Sequence, residues 1–465
     1  MTPPGAAEPQ RLVEQALQAS RADGCVAIAR NSATTNLRWA NNTLTTNGVT
    51  EMVELTVIAT VAGSDGVRAA ALTRTGVDAD GAADLAAAAE AAARASVPAD
   101  DAADLFAGAE AGDWHEQPEA PAPTSLSPVA EWLGETFAAA KASDEGRYGY
   151  AEHSIDTTYL GTSTGIRRRH SQPAVRLELT GRSADGSRSA WSGQAASDVA
   201  SLDLAALEAD VAKRLQWSTR RVDLDAGRYE TILPPSAVAD LMIYAYWSTG
   251  ALDAHEGRSV YSRPGGGTRV GEQLSELPLT LRSDPALAGQ EANPFVICGA
   301  SSRMASVFDN GGPIGPTDWI RDGSLAALIQ TRHSAATTGL PFTPWVDNLL
   351  LESPGAHQSI DHLVASVDRG LLLTCLWYIR EVDPQTLLLT GLTRDGVFLV
   401  EGGEVVGAVN NFRFNESPIG MLRRVAAVGG SEPTLAREFG DYFTRTTMPA
   451  LRVADFNMSS VSQAS

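Results

Sequence analysis

Only three cysteines occur in 465 residues, Cys25, Cys298 and Cys375, and they lie far apart. That spacing excludes a disulfide framework and a CxxC metal knuckle. Each sits in or near an apolar run and reads as a small buried hydrophobe. Long apolar runs are missing as well: no stretch approaches the roughly 20 residues needed to cross a bilayer. The N-terminal "MTPPGAAEPQRLVEQAL" lacks a basic region followed by an apolar one, so cytoplasmic residence is the expectation. Basic charge is scarce too, with 36 Lys and Arg against 56 Asp and Glu and a net charge of -20. Phosphate-backbone binding therefore lacks its usual driving force, and neither nucleic acid nor membrane is expected as a partner. The one basic cluster, "RRRH" at Arg167 to His170, reads as a solvated strand face.

Catalytic signatures are also few. A zincin-type site needs two imidazoles about a helical turn apart with a Glu after the first, so that both ligands and a general base face one metal and its water. Of seven His, only His115 and His255 are followed by Glu. Pro118 breaks any helix after His115-Glu116, and His255-Glu256 is followed by Ser259 and Val260 where a second His is needed. His357 and His362, with Asp361 beside the second, would stand about 140° apart on a helix and read as a polar helix start. "RPGGGTRVG" at Arg263 to Gly271 lacks the Lys-Ser/Thr of a P-loop and reads as a flexible turn.

What is present is an α+β pattern, with helices and strand groups segregated. An N-terminal domain over 1–222 is expected to combine helices with an antiparallel sheet. A domain over 223–465 is expected to place a central helix before a β-rich, barrel-like antiparallel sheet, because closure removes exposed edges. Arg11 to Arg21 reads as an amphipathic helix, followed by strands over 25–48 and 51–63 with Gly and Asn at the turns. "GAADLAAAAEAAARAS" is helical with little core-filling bulk, and "EQPEAPAPTSLSP" is an exposed connection. A further helix over 127–143, hairpins over 147–193 and a helix over 204–216 complete the first half. "RYETILPPSAVADLMIYAYWSTGAL" then reads as a strand, a Pro-Pro start with a Ser N-cap, and a buried helix.

Two long ordered stretches carry a resemblance. "FDNGGPIGPTDWIRDGSLAALIQTRHSAATTG" at Phe308 to Gly339 and "DRGLLLTCLWYIREVDPQTLLLTGLTRDGVFLVEGGEVVGAVNNFRFNESP" at Asp368 to Pro418 resemble the C-terminal half of the TldD/TldE (PmbA) family. With the N-terminal helix and the strands bearing Cys25 and Trp39, the likeness spans nearly the whole chain. It implies a cytoplasmic heterodimeric zinc metalloprotease that trims or degrades peptides. One subunit carries HExxxH and a late Cys ligand; the other shares the fold and has no metal.

Metal-bearing members run roughly His-Glu-Ala-Val-Gly-His-Ala-Leu-Glu-Ala. Setting "ALDA" at Ala251 to Ala254 against the end of that run places Ala245 at the first ligand, Tyr246 at the general base and Gly250 at the second ligand. None offers the imidazole, thiolate or carboxylate that zinc requires, and the last forty residues contain no Cys. The resemblance therefore implies a TldE-like subunit with no catalytic residues or cofactor of its own, zinc being carried by a TldD-like partner. Trp345, Trp377 and Tyr378 would flank peptide, and Arg394, Asn411 and Arg413 would bond its backbone. The chain alone would be able to form a homodimer. Two other readings stay open: a hydrolase built on His255 and Glu256 with a ligand from elsewhere, and a stand-alone peptide-binding or regulatory module.

Overall fold

The structure is a computed structural model that describes residues 8–462. Residues 1–7, part of the stretch read for a targeting signal, lie outside it. The chain begins with α1 (Pro9–Ala19), whose first turn starts at a proline and whose Leu12, Val13 and Ala16 are buried. Proline is suited to that position because its φ is already helical and its missing N–H would have had no partner.

Three strands follow: β1 (Gly24–Trp39), β2 (Leu44–Gly63) and β3 (Gly66–Thr75). The β1–β2 turn lies at Asn41 and Asn42, both with positive φ, a conformation that Asn tolerates. Gly48 sits inside β2, so the expected break there is corrected. Helix α2 (Ala79–Ala95) starts with the Asp78 side chain accepting the Gly81 N–H. Its buried alanines let the helix lie close on β2 and β3.

Helix α3 (Ser127–Ala142), strands β4 (Glu145–Thr162), β5 (Arg167–Ser183) and β6 (Ser189–Ala196), and helix α4 (Leu204–Trp217) complete this half. The strands form one six-stranded sheet, ordered β3-β2-β1-β4-β5-β6, and every pairing in it is antiparallel. Side chains alternate between its faces. Cys25, Ala27, Ala29, Leu37 and Trp39 of β1 pack with the core of α1 to α4, whereas Val26 and Ile28 pack against the second half of the chain.

That second half supplies a branched fourteen-stranded sheet. Its strands are β7 (Arg221–Val222), β8 (Gly227–Leu233), β9 (Thr280–Ser283), β10 (Thr317–Arg321), β11 (Ser324–Leu325), β12 (Leu349–Glu352) and β13 (Arg369–Leu373). They continue with β14 (Leu376–Asp383), β15 (Leu388–Thr393), β16 (Val397–Glu401), β17 (Glu404–Val409), β18 (Phe412–Glu416), β19 (Val425–Thr434) and β20 (Thr446–Val461). The expectation of antiparallel pairing throughout is corrected at three places, since β12 with β20, β13 with β8 and β17 with β7 run parallel. Long connections let strands remote in sequence meet side by side there.

Helix α5 (Pro235–Trp247) follows β8 and is buried almost all round, from Ala237 to Ile243 and again at Ala245 and Tyr246. Its N-cap is Pro234, with Pro235 as the first helical residue, so Ser236 lies inside the first turn and does not cap it. A short helix, α6 (Ala251–His255), continues after a break at Ser248 to Gly250. Among the described residues, no helix is long and apolar enough to cross a membrane.

Candidate functional site

The break between α5 and α6 holds the three positions that the resemblance singles out. Ala245 is buried, and its carbonyl accepts a hydrogen bond from the Tyr261 hydroxyl at 2.9 Å. The Tyr246 ring is fully buried against Trp345 (4.6 Å between centroids), Trp319 (5.0 Å) and Phe443 (6.0 Å). Its hydroxyl donates to the Val346 carbonyl at 2.9 Å and accepts from the Val346 N–H at 2.8 Å. Burial pushes that phenol well above its ordinary pKa, so it stays neutral and serves as a two-way hydrogen-bonding group.

Gly250 is held by the chain on both sides: the Ile329 N–H donates to the Thr249 carbonyl and the Ala251 N–H to the Ile329 carbonyl. A Cβ on Gly250 would lie 2.9 Å from Met304 Cγ, closer than packed atoms tolerate. The three positions thus present a methyl group, a phenol with both bonds made, and a hydrogen. This donor set does not fit a zinc ion, and no chemical step is derived through one.

Above this motif lies a cleft of about 670 Å³ between the first sheet and the second half of the chain. Arg30, Glu152, Asp156, His170 and Arg176 line one side; Met304, Trp345, Asp347, Tyr442 and Arg445 line the other. Trp345 and Met304 belong to both the cleft and the motif, so they separate Tyr246 and Gly250 from the open space. Ion pairs cross or brace the walls: Arg176 binds Asp441, and Arg445 binds the Asp347 carboxylate and donates to its carbonyl at 2.9 Å. Tyr150, beside the cleft, lies between the guanidinium groups of Arg38 and Arg176, at 5.4 and 5.2 Å from its ring. Its hydroxyl bonds Glu152, and burial together with that carboxylate pushes its pKa up to about 12.

His170 points Nε2 at Gln172 Oε1 at 3.0 Å, and burial holds it below the ordinary imidazole pKa. Cys298 also lines the cleft, but its thiol bonds the Ala300 carbonyl and burial pushes it up to about 11. A neutral thiol is a poor nucleophile. The cleft therefore offers apolar and charged walls.

The remaining sequence candidates fall elsewhere. Trp345 lines the cleft; Trp377, Tyr378, Arg394, Asn411 and Arg413 do not and gather around β14, β15 and β18. Trp377 stacks under Arg437 at 4.4 Å and Arg394 at 5.8 Å. Tyr378 is exposed with a positive φ. Asn411 accepts from the Thr393 hydroxyl at 3.4 Å, and Arg413 donates to Thr390 at 3.2 Å.

His115 is exposed and pairs with Glu110 at 3.1 Å. Glu256 is held by Arg303 at 2.5 Å and Arg258 at 3.2 Å, so its carboxylate is committed to cations. His357 and His362 are exposed, the latter at a helix start capped by Ser359, and Asp361 pairs with Lys213. Gly265, Gly266, Gly267 and Gly271 adopt positive φ, which makes the glycine-rich stretch a turn. Among the described residues, no three His, Cys, Asp or Glu side chains cluster as a metal site would require.

Sequence reasoning missed Asp240. It sits fully buried on α5, and its carboxylate accepts the backbone N–H groups of Arg437, Glu438 and Phe439 at 2.9 to 3.2 Å. Burial pushes its pKa up to about 8 against the pull of those three bonds. It thereby ties to α5 the segment whose Gly440, Asp441, Tyr442 and Arg445 line the cleft. A carboxylate inside the apolar run "AVADLMIYAYW" is the signal that could have found it.

Comparison with known proteins gives the family and the fold. The PmbA/TldA metallopeptidase C-terminal domain matches residues 226–460, and the central domain of the same family matches 119–219. No curated protein matches the sequence. Among solved structures, TldE from Thermococcus kodakarensis is similar with a TM-score of 0.76 at 17% identity, covering 96% of this chain and 99% of that one. Two proteins described as candidate modulators of DNA gyrase share the fold. The one from Bacteroides thetaiotaomicron has a TM-score of 0.75 at 13% identity, covering 97% and 98% of the two chains. The one from Thermotoga maritima has 0.74 at 15%, covering 96% and 98%. The chain belongs to the PmbA/TldD metallopeptidase family.

Proposed function

We propose that this chain is the metal-free, TldE-like subunit of a two-subunit zinc peptidase of the cytoplasm. The observation that carries the reading is the state of Tyr246. At the position of a general base stands a phenol whose hydroxyl closes both backbone groups of Val346 and whose ring fills the space between Trp319, Trp345 and Phe443. Packing of that kind is a settled core, in which little room remains for a metal and its water.

On this reading the chain contributes an interface and part of a peptide channel, while a HExxxH-bearing TldD-like partner holds zinc and performs the hydrolysis. The cleft lined by Trp345 is the channel segment of this subunit. Trp377, Tyr378, Arg394, Asn411 and Arg413 form a second surface available to peptide or partner. Division of the chain at 222/223 would make the first sheet one wall of the channel and the second sheet the other. A net charge of -20 biases the channel toward neutral or cationic peptides at long range, and disfavours a direct role on DNA.

The test is to purify the chain with a HExxxH-bearing homologue encoded beside it and to assay cleavage of an unfolded peptide with and without chelator. Cleavage by the mixture that this chain alone does not show, and that chelator abolishes, supports the reading. A mixture that stays inert while this chain binds the peptide supports a stand-alone binding module instead.

A further inference from the structure

Strand β4 runs through the middle of the first sheet, and every second side chain along it, Glu152, Ser154, Asp156 and Thr158, faces the cleft. Asp156 stands opposite Ser32 of β1 on one side and Gln172 of β5 on the other. Its half-buried carboxylate therefore belongs to the floor of the cleft and not to a sheet edge.

The other carboxylates that line the cleft are already engaged. Glu152 accepts the Tyr150 hydroxyl, Asp441 pairs with Arg176, and Asp347 pairs with Arg445. Asp309 accepts the Arg332 guanidinium at 2.7 Å and the Arg332 backbone N–H at 3.2 Å. Asp156 differs: among the described residues, no cation pairs with it and no group donates a hydrogen bond to its side chain.

Its neighbours are committed elsewhere. The Gln172 side-chain N–H groups donate to the carbonyls of Glu291 at 2.9 Å and Pro173 at 3.4 Å, and its oxygen faces His170. His170 stands opposite Thr158, and burial keeps it neutral at pH 7. Arg30 also stands opposite Thr158, diagonal to Asp156, but it is exposed and makes no ion pair among the described residues. The same cleft is walled by Phe295, Ile314 and Trp345. Apolar walls strengthen the pull of a fixed charge on a cation, and they accept the alkyl stem that carries one.

We propose that Asp156 anchors a cation subsite in this cleft, which takes a positively charged group of a bound peptide. The inference rests on the reading of the cleft as a peptide channel. It differs from the long-range bias set by a net charge of -20, because a direct contact persists in salt that screens a distant field.

Calorimetric titration of the full chain tests it with three unfolded peptides that are otherwise neutral. The first is acetylated and has one central lysine; the second is acetylated with norleucine in that place, which keeps the stem and removes the charge. The third has norleucine and a free N-terminus. The expected result is binding of the lysine peptide about tenfold or more tightly than the acetylated norleucine peptide. That preference should persist in about 0.5 M salt, vanish in Asp156→Asn and survive in Glu404→Gln, which removes a charge from an exposed position outside the cleft. Tighter binding of the third peptide, lost in Asp156→Asn, also supports the subsite and assigns its cation to the peptide N-terminus. Asp156→Asn is nearly isosteric and strands no partner, and circular dichroism checks its fold. Equal binding of all three peptides, a preference that salt or Glu404→Gln abolishes, or one that Asp156→Asn leaves intact would overturn the subsite and spare the channel. Binding of none would overturn both.

Discussion

The hydroxyl of Tyr246 and the backbone of Val346 satisfy one another completely, with the N–H donating at 2.8 Å and the carbonyl accepting at 2.9 Å. One side chain thus anchors α5 to the segment that leads into β12. Tyr246→Phe keeps the ring packing and strands both backbone groups in the core. The expected cost is about 1–3 kcal/mol of stability, read as a lower denaturant midpoint with an unchanged slope.

Restoring the ligand residues should not restore a metal site. Ala245→His with Tyr246→Glu and Gly250→His would place a carboxylate between Trp319 and Trp345 and push a side chain into Met304. The triple variant is expected to be less stable than the parent and to hold no stoichiometric zinc after equilibrium dialysis. Gly250→Ala alone should cost about 1–3 kcal/mol, with part of that loss recovered by Met304→Ala. Tight zinc in the triple variant would show that the surroundings had kept the shape of a metal site.

Asp240 is expected to control the wall of the cleft. Asp240→Ala leaves three buried N–H groups of Arg437, Glu438 and Phe439 without an acceptor, at a cost of about 3 kcal/mol or greater. Asp240→Asn keeps one oxygen and should cost less. Hydrogen exchange should rise first across residues 437–445 in the Ala variant, because that segment is the one released.

Acid should weaken the fold through two histidines. Burial holds His153 and His170 below the ordinary imidazole value of 6.5, so the folded chain binds fewer protons than the unfolded chain around that pH. Their contribution is fully present above 6.5 and is lost as pH falls through it toward the lower folded values. Thermal melts between about pH 7.5 and 5.5 should show a smaller acid-induced loss for His153→Gln with His170→Gln than for the parent.

Much of the architecture follows from local signals. Asn41 and Asn42 mark a turn because Asn accepts positive φ, and Pro235 starts α5 because its φ is preset. The motif was legible as well, since Ala245, Tyr246 and Gly250 declare their chemistry by residue type. The cleft was not. Its walls meet through Arg176 with Asp441 and are braced by Arg445 with Asp347, pairs of residues remote in sequence, and no local periodicity encodes them. Trp377 and Arg394 looked like channel residues because exposed aromatic and basic side chains often bind ligands. The structure puts them on another surface, where Arg437 lies over the Trp377 ring. The parallel pairings of β7 and β8 escaped notice for a similar reason: two short strands are recruited by β17 and β13, far along the chain.

On the proposed function this chain carries no catalytic metal of its own. The most direct test is the zinc-to-protein ratio of the chain purified alone, incubated with excess zinc and dialysed. A ratio near zero is the expected result; a ratio near one, held by the chain's own side chains, would contradict the account.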